Sequence, residues 1–172
     1  MTDELLVVRA QLGERDALAE LVSRWRTPVW TYVRRMLDAE RADGVSQEVW
    51  LAVVRGLPRL REPDRFAPWL FTIARRSVMD RLRGRYAEPP APAGDETAAD
   101  PAGAALDRAE LIAALALLPP PEREILVLHY LEDLPVEDCA QICGIPAGTV
   151  KSRLSRARRL MRARLEEKGY RP

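Results

Sequence analysis

Apolar residues recur at helical spacing through most of this chain, which predicts an all-α protein. From Met1 to Leu37, Leu5, Leu6, Val8 and Leu12 form a first stripe. Gly13 interrupts it, and Ala17, Leu18, Leu21, Val22 and Trp25 form a second. Pro28 predicts a break or kink, because proline removes an N–H and crowds the preceding turn; Val29, Trp30, Val33, Met36 and Leu37 then continue the stripe. All of these are expected in a core. The next helix is expected from about Asp43 to Leu57, with Val45, Val49, Ala52, Val53 and Leu57 inward. Its other side leaves Asp43, Gln47, Glu48 and Trp50 facing outward or toward a flank. Trp50 either meets another protein or closes the bundle.

Pro58 to Pro68 reads as a loop, rich in proline and alternating charge, of the kind that carries function between rigid helices. A helix over about 66–83 follows, with Trp69, Leu70, Ile73, Ala74, Val78 and Leu82 on its apolar side. Against these stand Arg75, Arg76, Arg81, Arg83 and Arg85, with Asp80 the single acid. Basic groups beside aromatic ones suit single-stranded or melted nucleic acid, and a merely solvated basic face is the alternative. Ala87 to Ala105 then changes character, with four prolines, four acids and no base. Such a segment buries too little to order itself and reads as a disordered linker. The chain therefore divides into two small helical domains, residues 1–86 and 105–172, joined by a flexible acidic Pro/Ala-rich linker over 87–104 that leaves them uncoupled.

In the second half, Leu106–Leu118 is expected as a helix stopped by three prolines. Glu122–Leu131 is the next, with Ile125, Leu126 and Leu128 inward and Glu122 and Glu124 near the positive end of the helix dipole. Leu134 to Met161 has the form of a helix-turn-helix. Val136, Cys139, Ala140 and Cys143 share one face of a short helix; Gly144 suits the left-handed turn, and Pro146 restarts a helix. In the second helix Val150, Leu154, Ala157 and Met161 fall at i, i+4, i+7 and i+11 and must face inward. Lys151, Ser152, Ser155, Arg158 and Arg159 then face outward, with Arg153 and Arg156 on the flanks.

Charge sharpens this picture only when read by position. The formal net charge of the 172 residues is +1, yet Ala147 to Arg164 holds seven Lys or Arg and no Asp or Glu. A one-sided basic helix with hydroxyl side chains fits the major groove of DNA: phosphates supply affinity, while hydroxyls and arginine forks reach base edges. Cys139 and Cys143 read as small apolar filling, with a thiol switch or half a metal site as the sharper alternative. His129, the one histidine, reads as an ordinary helix residue. No catalytic residues, cofactor or metal is expected, since the chain has no Gly-rich phosphate loop, no nucleophile paired with a base and no ligand cluster. No apolar run has membrane-spanning length and the first ten residues lack a signal-peptide layout, so a cytoplasmic protein is expected.

At the motif level the chain resembles an extracytoplasmic-function (ECF) sigma factor of the sigma-70 family. The carriers in the first half are SQEVW at 46–50, FAPWLFTIARR at 66–76 and DRLR at 80–83. In the second they are LP at 118–119, EREILVL at 122–128 and GIPAGTVKSRLSRAR at 144–158. The resemblance implies sigma region 2 and region 4 domains and a role in promoter-specific initiation by RNA polymerase. It implies that Asp43, Gln47, Glu48 and Trp50 bind the clamp helices of the largest polymerase subunit. It also implies that Arg59, Arg61, Arg65, Trp69, Arg75, Arg76 and Arg83 recognise and open the minus-ten element. Thr149, Lys151, Ser152, Arg153, Ser155, Arg156 and Arg159 would then read the minus-thirty-five element. Further implied partners are the flap of the second-largest subunit and an anti-sigma factor that holds the protein inactive until a stress signal, the chain being a monomer on polymerase. Family members usually carry an acid where Gly44 stands, and Pro146 replaces a common capping serine. The competing reading is a stand-alone helix-turn-helix regulator whose first domain dimerises or senses a ligand.

Overall fold

In the computed structural model, residues 1–84 and 104–167 are described, with side chains of the second segment from residue 109. The linker reading, with Arg85, lies outside them. The described residues form eight α-helices and no strand: α1 Asp3–Gln11, α2 Arg15–Met36, α3 Ala39–Gly56, α4 Phe66–Gly84, α5 Ala104–Ala116, α6 Pro120–Leu126, α7 Val136–Cys143 and α8 Ala147–Glu167. α1–α4 pack as one helical unit and α5–α8 as another, as the hydrophobic pattern predicts.

Several local details differ from expectation. Leu6 and Val7 are the buried residues of α1, whereas Leu5, Val8 and Leu12 are exposed. Polar tethers fix that rotation: Trp25 Nε1 donates to Asp3 Oδ2 at 3.1 Å, and Gln11 Nε2 donates to the carbonyls of Leu57 and Leu60 at 2.9 and 2.7 Å. Gly13 takes φ +92° in the turn that follows. α2 continues through Pro28 without a break, because Leu21 before it and Val29, Tyr32 and Val33 after it bury in the same core. Trp30, expected inside, is exposed and donates to Asp43 Oδ1 at 2.9 Å; Tyr32 is fully buried instead. α3 begins earlier than expected because Asp38 caps it, accepting from the Arg41 N–H at 3.2 Å. The proline-rich loop contains two short 3₁₀ turns, Leu57–Arg59 and Pro63–Arg65. α6 passes into a π-helical turn, Val127–Leu131.

The two units are not uncoupled. α4 packs along α7, and α2 meets α6 and the π turn. Buried apolar residues from Leu6 to Ala157 form one continuous cluster across both units.

Candidate nucleic-acid interface

The turn before α8 follows its sequence. Gly144 adopts φ 64°, ψ 37°, and the Ile145 N–H returns to the Ala140 carbonyl at 3.1 Å, closing α7 with a left-handed cap. α8 buries Val150, Leu154 and Ala157, with Met161 half-buried behind them. Lys151, Ser152, Ser155, Arg156, Arg158 and Arg159 are exposed, and Thr149 and Arg153 are half-buried at the margins. Arg158 is drawn toward the back of the helix, where Nη1 donates to the Tyr130 hydroxyl at 3.2 Å. Arg156 Nε lies 3.4 Å from Glu122, a loose pair on an exposed side chain. The seven residues expected at the minus-thirty-five element thus share the N-terminal part of one solvent-facing helix.

The seven minus-ten candidates are less uniform. Arg59 and Arg61 are exposed on the loop, and Arg76 is exposed on α4. Trp69 is half-buried, 5.9 Å from Phe66 between ring centroids, and lies over the backbone of Gly56: a Cβ there would meet Trp69 at 2.9 Å. Arg83 pairs with Asp80 on its own helix. Arg65 and Arg75 are held by the other unit. Arg65 donates to Gln141 Oε1 on α7, while the same nitrogen stands 2.8 Å from Asp138 Oδ1 without aiming a hydrogen bond at it. Arg75 Nε donates to Glu124 Oε1 at 3.0 Å, and the buried Tyr32 hydroxyl donates to that same oxygen at 2.7 Å. Glu124 is only 2% exposed. Burial raises the Tyr32 hydroxyl pKa well above its ordinary value, and Glu124 adds to the rise. For Arg75 burial opposes the charge, but Glu124 together with Cys143 and Tyr32 lifts the guanidinium above its ordinary value.

On α3, Asp43 and Gln47 are exposed on the same side as two apolar residues missed in the sequence, Leu51 and Val54, which are 56% and 47% exposed. Glu48 lies on a flank, paired with Arg81 at 2.9 Å. Trp50 is half-buried against the core, closer to the bundle-closing alternative.

The sigma-70 region 2 family model matches residues 21–87, and the sigma-70 region 4 model matches residues 108–161. The ECF RNA polymerase sigma factor SigC of Mycobacterium tuberculosis is 32% identical over 158 residues, covering 89% of this chain and 85% of its own length. The chain belongs to the ECF sigma factors. The ECF sigma-E factor of Escherichia coli K12 is 30% identical, covering 92% of this chain and 91% of its own. Among solved structures, CnrH in complex with the cytosolic domain of CnrY is 26% identical, with a TM-score of 0.75, covering 96% of this chain and 97% of that one. Matches across both halves favour the sigma factor over a stand-alone helix-turn-helix regulator. The protein is a DNA-binding factor of transcription initiation.

An apolar groove of about 380 Å³ opens between α5, α6 and α8, lined chiefly by Leu111, Leu115, Tyr130, Leu131, Met161 and Leu165, with Arg158 and Arg162 at its edge. The helical periodicity marked Met161 as inward but did not show that the apolar side of α5 is left partly uncovered. Cys139 and Cys143 are free and buried, their thiols pushed up to about 11 and about 12 first by burial and then by nearby acids. That environment makes them poor thiolates and supports the filling role over the switch. His129 does more than fill a helix: its Nδ1 hydrogen-bonds the Leu134 carbonyl at 2.8 Å, pinning the connection into α7. None of the helices among the described residues is long and apolar enough to cross a membrane.

Proposed function

We propose that this ECF sigma factor acts in the cytoplasm by binding core RNA polymerase through α3 and opening the minus-ten element with the 59–83 loop and helix. It reads the minus-thirty-five element with α8. The observation that carries this reading is the single solvent-facing basic side of α8, free of acids from Ala147 to Arg164 and set on a left-handed glycine turn. Residues 1–86 serve as the region 2 domain, 87–104 as the linker and 105–172 as the region 4 domain. Asp43, Gln47 and Glu48 are the proposed clamp contacts, to which the exposed Leu51 and Val54 add apolar area on the same helix, while Trp50 closes the bundle behind them. The groove beside α8 suits an amphipathic segment of the polymerase flap, with Arg158 and Arg162 available to acids at its edge. An anti-sigma factor is the proposed regulator; a solved structure of like fold, the sigma factor RpoE of Bartonella quintana, is a complex with the anti-sigma factor NepR.

Copurification of the full chain with core polymerase tests the assignment. Wild type is expected to copurify, and the double reversal Asp43→Lys/Glu48→Lys to lose most core binding while keeping its helical content. Retained affinity in the reversed variant would remove α3 from the interface.

A further inference from the structure

The chain has four tryptophans, and three of them, Trp25, Trp50 and Trp69, are half-buried against the core. Trp30 is the exception. It stands on the outer side of α2, 43% exposed, although helical spacing places it among the inward residues. An indole left in solvent forgoes the burial that so large a ring ordinarily finds, and exposed aromatic rings are enriched where proteins meet. Its polar edge is nevertheless tied: Nε1 donates to Asp43 Oδ1 at 2.9 Å, joining α2 to the start of the outer face of α3. On that face Asp43, Gln47, Leu51 and Val54 follow at i, i+4, i+8 and i+11, all of them exposed, so Trp30 extends the same surface onto a second helix.

The kind of donor decides what this contact can do. An indole N–H is neutral, and a carboxylate that accepts it keeps its full charge and its remaining lone pairs. Among the described residues Asp43 makes no ion pair, whereas Glu48, the other acid assigned to this surface, is paired with Arg81. Trp30 therefore fixes where the Asp43 carboxylate points without neutralising it. An exposed ring beside a fixed anion is a seat for a guanidinium, which stacks on the aromatic face and donates its N–H groups to the acid. We propose that Trp30 is a further polymerase-binding residue, which positions Asp43 and forms with it the seat for an arginine of core polymerase at the α2–α3 edge. Leu51 and Val54 then cover apolar surface farther along α3. The proposal rests on the assignment of α3 to core polymerase and extends that interface to α2.

Equilibrium binding of the full chain to purified core polymerase tests the pair. Trp30→Phe keeps a ring and removes the N–H, Trp30→Ala removes both, and Asp43→Ala removes the carboxylate. Asp43→Ala is expected to weaken binding at least about tenfold and Trp30→Phe about threefold to tenfold, with Trp30→Ala costing more than Trp30→Phe. In Trp30→Phe/Asp43→Ala the two losses should not multiply, because the indole N–H acts through the carboxylate. Both side chains are exposed, so helical content and the urea midpoint should stay at their wild-type values. Losses that multiply, or a Trp30→Phe loss that tracks a lowered urea midpoint, would overturn the positioning role. Trp30 variants that bind like wild type while Asp43→Ala binds poorly would overturn the proposal and leave α3 in the interface. Full affinity in Asp43→Ala and in the double charge reversal alike would instead fault the assignment of α3, and the Trp30–Asp43 seat with it.

Discussion

The two basic helices look alike as sequence and differ as surfaces. α8 holds its cations toward solvent, and among the described residues the loose Arg156–Glu122 pair is the only ion pair of those assigned to DNA. On α4 and the loop before it, Arg65, Arg75 and Arg83 each meet an acid, and Arg65 and Arg75 do so across the domain boundary. Counting cations along a helix therefore measures potential for binding. Which of them are available is decided by acids distant in the chain.

Substitutions of one residue type in the two regions should separate them most sharply. Arg75→Ala leaves the buried Glu124 with Tyr32 alone and is expected to destabilise the protein by about 2–3 kcal/mol in urea denaturation, whereas exposed Arg159→Ala should change it by less than about 0.5 kcal/mol. Equal effects would show that the α4 pairing contributes nothing special. Arg156→Ala reverses the ranking in a promoter assay: loss of about 1–3 kcal/mol in binding of the polymerase holoenzyme to its promoter, with core binding intact. Equal loss of core binding would deny Arg156 its place on DNA.

Smaller effects probe the supports between the two surfaces. The Glu132 side chain buries one oxygen without a hydrogen-bond partner among the described residues, and burial pushes its pKa up to about 7. A carboxyl raised in the folded state stabilises fully below its ordinary value of 4.5 and loses that contribution as pH rises through about 7. Glu132→Gln should therefore stabilise the protein by about 1–2 kcal/mol at pH 8 and have little effect near pH 4, by urea denaturation at each pH. Cys139 and Cys143 obey the same sign at higher pH. Their raised thiols stay protonated in the fold while those of the unfolded chain ionise, so stability should fall above pH 9, and Cys139→Ala/Cys143→Ala should abolish that fall. Gly44→Ala is the mildest change, since no atom lies within 4 Å of the added Cβ; a gain of about 0.5–1 kcal/mol is expected from helix propensity.

Helix periodicity and the Gly144–Pro146 turn made the recognition helix legible because its geometry is local. Val150, Leu154 and Ala157 turn inward by spacing alone, and the remaining positions must then face out. The rotation of α1, the exchange of Trp30 for Tyr32 and the burial of Glu124 were not legible. Each depends on a partner far along the chain: Asp3 with Trp25, Gln11 with two carbonyls near the loop, and Tyr32 with an acid 92 residues away. Glu124 looked like a helix-dipole residue because its local position suits that role. Its burial follows from the packing of two units that the linker's composition suggested were independent.

The most direct test of the account is transcription by purified core RNA polymerase, with and without this protein, on a pool of random promoters, followed by sequencing of the transcript start regions. Protein-dependent starts sharing two motifs at a fixed spacing are the predicted result, one read by α8 and the other by the 59–83 segment. No stimulation, with duplex DNA bound by the protein alone, would contradict the account and return the chain to an independent helix-turn-helix regulator.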